Sequence, residues 1–126
     1  MMTPDVRLCA LLLMIVTLAG CASRPEPEPP KEAVVALDGQ AVVTLNNRAL
    51  SLKEEGRFRE AAELLREGIR GAPDTPELHY NLAVISELYL LDLDNALTHY
   101  RRYRALTEQD NKLVAGWIAD LERRLQ

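Results

Sequence analysis

From about residue 38 to the C-terminus, apolar residues recur at intervals of three and four positions, and no segment alternates apolar and polar residues as a half-buried strand does. Such a period places the apolar side chains on one face of a helix. The pattern predicts an all-α fold for residues 38–126. We expect five helices in this part of the chain, at about residues 39–55, 58–70 and 75–90, from 95 onward, and at about 111–125.

Residues that favour helix ends separate these segments. Gly56 ends the first helix, and the run Gly71-Ala72-Pro73 ends the second. Thr75-Pro76-Glu77 combines a side-chain oxygen for the N-cap, proline at the first helical position and an acid in the first turn. Asp94 is the expected N-cap of the fourth helix.

The first two helices carry small and large apolar residues in an order that can be tested against known repeats. The positions are Leu45, Ala49, Leu52, Gly56, Phe58, Ala61, Leu65, Gly68, Ile69 and Pro73. This order resembles the tetratricopeptide repeat (TPR), a helix-turn-helix unit of about 34 residues. Alanines at such positions let paired helices approach closely, and the closing proline ends the second helix.

A second copy of the resemblance follows at Leu82-Ala83, Ala96, Tyr100 and Tyr103, so that the two copies cover about residues 42–107. It departs from the family in three ways. The interval from Leu82 to Ala96 is 14 residues where the family has 13, the turn lacks glycine, and no proline closes the unit.

Two repeats are fewer than the three that such stacks usually need. We therefore predict that the fifth helix caps the second repeat, burying Leu113, Trp117 and Leu121 against the fourth helix. At the opposite end, either residues 33–37 or another chain would cover the outer face of the first helix. Self-association is one way to supply that chain.

The N-terminus carries an export signal. Arg7 precedes an apolar run, Leu8 to Leu18, that is shorter than the roughly 20 residues needed to span a bilayer. Leu18-Ala19-Gly20-Cys21 resembles the lipobox of bacterial lipoproteins. The resemblance implies that residues 1–20 are removed and that Cys21 receives a diacylglyceryl group and an N-terminal acyl chain such as palmitate. An ordinary signal peptide with an incidental cysteine is the alternative.

Residues 21–37 form a tether in which proline and glutamate alternate, a composition that favours an extended polyproline-like spacer. A ligand for a proline-binding domain is the alternative. Ala22 follows the cysteine. In the resemblance to bacterial lipoproteins, this residue implies that the lipid holds the protein at the periplasmic face of the outer membrane. The only other cysteine, Cys9, lies in the segment predicted to be removed.

The charge of the chain excludes one large class of partner. Without residues 1–20 it has 18 acidic and 14 basic side chains, a net charge of −4, and nucleic-acid binding normally begins with a basic face. The local cluster Arg101, Arg102 and Arg104 is expected to be a solvated helix flank, and a specific anionic partner is the alternative.

In the TPR family the first helix of each repeat lines a groove that binds a peptide or a helix of a protein partner. The resemblance implies a partner-binding face at Val43, Asn46, Leu50, Lys53, Glu54, Glu77, Tyr80, Val84, Glu87 and Leu88. Leu50 and Val84 occupy positions where the carboxylate-binding subgroup has asparagine. Such a groove suits a hydrophobic or weakly basic segment. Asn47 and Asn81 recur at equivalent positions, which indicates a structural role.

The sequence offers no catalytic motif. His79 and His99 are the only histidines, no third ligand accompanies them, and no glycine-rich phosphate loop or metalloprotease pattern is present. We therefore expect no enzyme activity, no cofactor and no metal.

The expected function is that of an envelope scaffold or assembly factor, as in pilus or secretin assembly. A subunit of a polysaccharide or lipoprotein trafficking complex, or an accessory cell-wall enzyme, is the alternative.

Overall fold

The computed structural model describes residues 34–108 and 111–126. The predicted signal peptide, Cys21 and most of the tether lie outside the described residues. The described part is all-helical, which confirms the predicted fold class. Its helices are α1 (Gly39–Glu54), α2 (Phe58–Gly71), α3 (Pro76–Ile85), a π-helical turn (Ser86–Leu90) that continues α3, α4 (Leu93–Leu106) and α5 (Lys112–Arg124).

Helices α1 and α2 form one hairpin, α3 and α4 form a second, and α2 also packs against α3. The first core cluster lies between α1, α2 and α3. Its fully buried members include Ala49, Ala61, Ala62, Leu65, Leu78 and Leu82. Burying each leucine stabilises the fold by about 1.5–3 kcal/mol.

Gly68 lets three helices meet. A Cβ added there would lie 2.6 Å from Leu45 Cδ2 of α1 and 3.1 Å from Leu78 Cδ1 of α3. A side chain larger than hydrogen at residue 68 would therefore force Leu45, and to a smaller extent Leu78, to move from these positions.

The segment before α1 reaches only the end of α2. The Leu37 N–H donates to Gly71 O at 3.0 Å, and the Leu37 side chain packs where a Cβ on Gly71 would stand. Val34 and Val35 are exposed. An apolar hollow along α1, lined by residues that include Ala41 and Leu64, remains open to solvent. Residues 34–37 therefore leave part of the outer face of α1 uncovered.

The turn between α3 and α4 differs from the glycine turn between α1 and α2. Leu91 is the C-cap of the π-helical turn, and its φ of 55° is in the left-handed region. In the earlier turn, Gly56 has a φ of 77°. A π-turn holds one residue more than an α-turn. It accommodates the extra residue that the sequence shows between Leu82 and Ala96.

Two predicted caps are corrected by the structure. Helix α4 begins at Leu93, and its N-cap is Asp92, whose carboxylate accepts from Asn95 N, instead of Asp94. Thr75 precedes α3 as predicted, but its side chain makes no capping hydrogen bond. The N-cap of α5 is Asn111, which accepts from the N–H groups of Leu113 and Val114.

The side of α5 that packs inward was predicted incorrectly in part. Val114, Ile118 and Leu121 are buried in the second core cluster with residues of α3 and α4. Leu121 was predicted to be buried, but Leu113 is 70% exposed and Trp117 is 37% exposed. In the first two turns the buried residue lies one position later than the predicted one, because the face of α5 centred on Ile118 meets α4.

No helix in the described part of the chain has the length and apolar character that crossing a membrane requires.

Replacing Leu91 with glycine should stabilise the protein. A non-glycine residue in the left-handed region costs roughly 1–2 kcal/mol, and the exposed Leu91 side chain contributes little burial in return. Gly56→Ala should destabilise it by a similar amount. Urea unfolding of both variants measures the two effects. A loss of stability in Leu91→Gly would show that the positive φ of Leu91 does not strain the turn.

Candidate partner-binding site

One face of the helical domain contains a pocket of about 410 Å³, which we call the polar pocket. Helix α1 contributes one side chain to its lining, and α3 and the C-terminal end of α4 contribute the others. The lining residues are Asn46, Pro76, Glu77, Tyr80, Asn81, Tyr103, Leu106 and Thr107. Three of the predicted partner-binding residues, Asn46, Glu77 and Tyr80, therefore line the same pocket.

A side-chain hydrogen bond joins α1 and α3 at this pocket. Asn81 Nδ2 donates to Asn46 Oδ1 at 2.8 Å, between residues that are 35 positions apart in the chain. The structural role predicted for Asn81 agrees with this bond. The bond also means that Asn46 helps to hold the pocket together as well as lining it.

Aromatic rings surround Tyr80. Its ring centroid lies 5.2 Å from that of Tyr103 and 6.3 Å from that of Trp117, and Tyr100 is 5.6 Å from Trp117. We call Tyr80, Tyr100, Tyr103 and Trp117 the aromatic cluster. Tilted rings at such distances attract each other, so the cluster fixes the orientation of the Tyr80 ring beside the pocket.

Two further predicted residues connect α3 to α5. Val84 packs against the second core cluster. Glu87 lies 2.9 Å from Arg124 Nη1 of α5, and only 14% of the Glu87 side chain is exposed. Burial, together with the negative charge of Glu87, raises the pKa of Tyr100. These side chains stabilise the domain, and a charge introduced at Val84 would disturb the core.

The remaining predicted residues lie outside the polar pocket. Leu50 and Lys53 are half-buried on α1, and Leu88 is 61% exposed in the π-helical turn. Val43 and Glu54 are exposed. The structure thus brings together only part of the predicted face.

Sequence reasoning missed the contribution of α4 to the pocket. Tyr103 was assigned to the repeat pattern alone, and Leu106 and Thr107 follow it at the helical spacing of three and four residues. That spacing places the three side chains on one face of α4. It does not indicate that this face opens onto the pocket that Asn46 of α1 also lines.

The two histidines meet between α3 and α4. His79 Nε2–H donates to Pro73 O at 2.9 Å, so a neutral His79 has an unprotonated Nδ1, which accepts from His99 Nδ1–H at 2.8 Å. His79 is 5% exposed. Its hydrogen bonds are satisfied within the protein, and no group of three or more potential metal ligands occurs among the described residues.

The arginine cluster on α4 is occupied with ion pairs. Arg101 contacts Glu122 of α5, and Arg102 contacts Asp74 in the turn before α3. Arg104 lies beside Arg101 and Ile118 at a separate hollow. Two of the three arginines thus hold neighbouring segments of the domain, in agreement with a solvated flank.

No protein-family model and no curated protein matches this sequence.

We expect His99 to make the free energy of unfolding depend on pH. Burial lowers the pKa of His99 from 6.5 to about 4, with the positive charges of His79 and Arg66 as further causes, while Asp92 acts in the opposite direction. Between these two pH values the unfolded chain binds more protons than the folded one. The stabilisation is therefore complete above pH 6.5 and is lost as the pH falls towards 4.

We expect the free energy of unfolding to fall between pH 7 and pH 4.5 more steeply in the wild type than in His99→Asn. The difference should be on the order of 1 kcal/mol, because His99 is only half-buried and solvent screens the effect. Urea unfolding across this range measures it. Parallel pH profiles for the two proteins would show that His99 is not the responsible group.

Proposed function

We propose that this protein is a membrane-anchored scaffold or assembly factor of the bacterial envelope that binds a protein partner through the face containing the polar pocket. The single observation that carries the proposal is this pocket, in which polar, aromatic and acidic side chains from three helices converge. Aromatic residues with a polar tip are common anchors of protein interfaces.

We propose further that the two hairpins are TPR-type repeats and that α5 is their capping helix. Three features support this. Buried alanines recur at equivalent positions, 34 residues apart at Ala49 and Ala83, and 35 residues apart at Ala61 and Ala96 because of the extra residue between them. Both turns within the hairpins contain a residue with positive φ. The outer side of α5 is exposed at Lys112, Gly116, Ala119 and Arg123, as a terminal cap requires.

The proposed location is the periplasmic face of the outer membrane, through lipid on Cys21. It is supported by the apolar run that ends in Leu18-Ala19-Gly20-Cys21 and by Ala22. Two or more acyl chains give stable anchoring where one chain does not. The proline-rich residues that follow would hold the helical domain away from the bilayer surface.

Cys21→Ser should abolish lipid attachment, because serine cannot form the thioether, and should leave an unprocessed precursor or a mislocalised protein. Metabolic labelling with an alkyne fatty acid, followed by gel analysis, measures this. Cys9→Ser is the matched control and should be labelled normally. Label that persists on Cys21→Ser would remove the proposed anchor.

Partner binding is tested by photo-cross-linking in living cells. Benzoyl-phenylalanine placed at Tyr80, which lines the pocket, should give a discrete cross-linked product in the membrane fraction. The same probe at Glu67, an exposed residue of α2, should not. Products from position 67 with none from position 80 would mean that binding uses another surface.

A further inference from the structure

We propose that the polar pocket binds a cationic side chain, arginine or lysine, of the protein partner. This inference rests on the proposed binding function of the same face. It specifies the charge and the class of the partner side chain that the pocket binds, which the proposed function leaves open.

The charge of the pocket lining is the first argument. Glu77 is the only charged residue among the eight that line the pocket, and it is exposed. Within residues 34–108 and 111–126, Glu77 takes part in no ion pair. The nearby cation Arg102 is already bound to Asp74. The pocket therefore has an acidic side chain that the described part of the domain does not neutralise.

The neutral groups that line the pocket with Glu77 also favour a cation. Tyr80 and Tyr103 both line the pocket, and the faces of aromatic rings attract cations. Asn81 uses Nδ2 as the donor to Asn46, so its Oδ1 remains an acceptor on the pocket wall. A carboxylate, a carbonyl oxygen and two rings together match a guanidinium or ammonium group, which has only donors.

An arginine of the chain itself already pairs with an acidic residue on the same helical face. Glu77, Tyr80, Val84 and Glu87 follow one another at helical spacing. At Glu87 the cation is Arg124 of α5, at 2.9 Å, and Tyr100 of the aromatic cluster interacts with Glu87. At Glu77 the acid and the tyrosines recur, and a partner would supply the cation.

The size of the pocket fits one inserted side chain. Its volume of about 410 Å³ is near the lower end of the range of roughly 300–1,000 Å³ that ligand pockets occupy. A single long side chain with its flanking backbone would therefore fill it.

The test uses the mature full-length protein in detergent micelles and three peptides of the form acetyl-Gly-Leu-X-Leu-Gly-amide, in which X is arginine, citrulline or glutamate. Citrulline has nearly the same shape as arginine and no charge. NMR titration follows the side-chain amide signals of Asn46 and Asn81. At low ionic strength we expect the arginine peptide to bind about fivefold more tightly than the citrulline peptide, and the glutamate peptide to bind most weakly.

Two pairs of variants locate the effect. Glu77→Gln should weaken binding of the arginine peptide about threefold and leave the citrulline peptide unchanged, while Glu67→Gln, which removes the same charge from α2, should change neither. Tyr103→Leu should weaken the arginine peptide, and Tyr103→Phe, which retains the ring, should not. Circular dichroism confirms that each variant keeps its helicity.

Equal affinities for the arginine and citrulline peptides, an equal effect of Glu67→Gln and Glu77→Gln, or no binding of any peptide would each overturn this inference. A partner cross-linked at position 80 would leave the proposed function standing in those cases. An arginine preference that depends on Glu77, without any product in cells, would support the pocket chemistry and count against the proposed function.

Discussion

The described domain depends on the close approach of α1 and α3 to α2. Gly68 leaves room for Leu45 and Leu78 to pack against the backbone of α2, and Ala49, Ala61 and Ala62 are completely buried nearby. A larger side chain at any of these positions would require the surrounding core to repack. The polar pocket depends on the same approach, because Asn46 and Asn81 form their hydrogen bond only when α1 and α3 are adjacent.

Helix α5 is attached in a different way. Three buried apolar residues hold it against α4, and it contacts α3 through the long side chains of Trp117 and Arg124. The contact with α3 fixes two residues of the candidate site, Tyr80 and Glu87. The last helix therefore shapes the face that contains the candidate site as well as covering the end of the core.

The helices and most of their bounds were predictable because the apolar period and the residues at helix ends are local properties of the sequence. The side of α5 that faces inward was not, because Leu113, Trp117 and Leu121 follow a helical stripe as regular as that of Val114, Ile118 and Leu121. Packing against α4 selects between them. The N-cap of α4 was missed for a similar reason, since Asp92 and Asp94 are both suitable residues.

The candidate site was predictable in part. Helical spacing and the resemblance to a repeat placed Asn46, Glu77 and Tyr80 on one face, and these residues line one pocket. Tyr103 belongs to the pocket because α4 packs on α3 and opens onto the pocket that Asn46 of α1 also lines, and that long-range arrangement has no local signal. The contact of His79 with His99 likewise depends on how α3 and α4 pair.

The π-helical turn also determines how this sequence should be aligned with the tetratricopeptide repeats that it resembles. The extra residue is held within Ser86–Leu90, so the helical register before Ile85 is unchanged and every position after it is shifted by one. A gap placed in the loop at Leu91 and Asp92 would pair the last turn of α3 with the wrong residues. The insertion belongs inside the helix, and residue-by-residue comparison becomes valid again from Leu93.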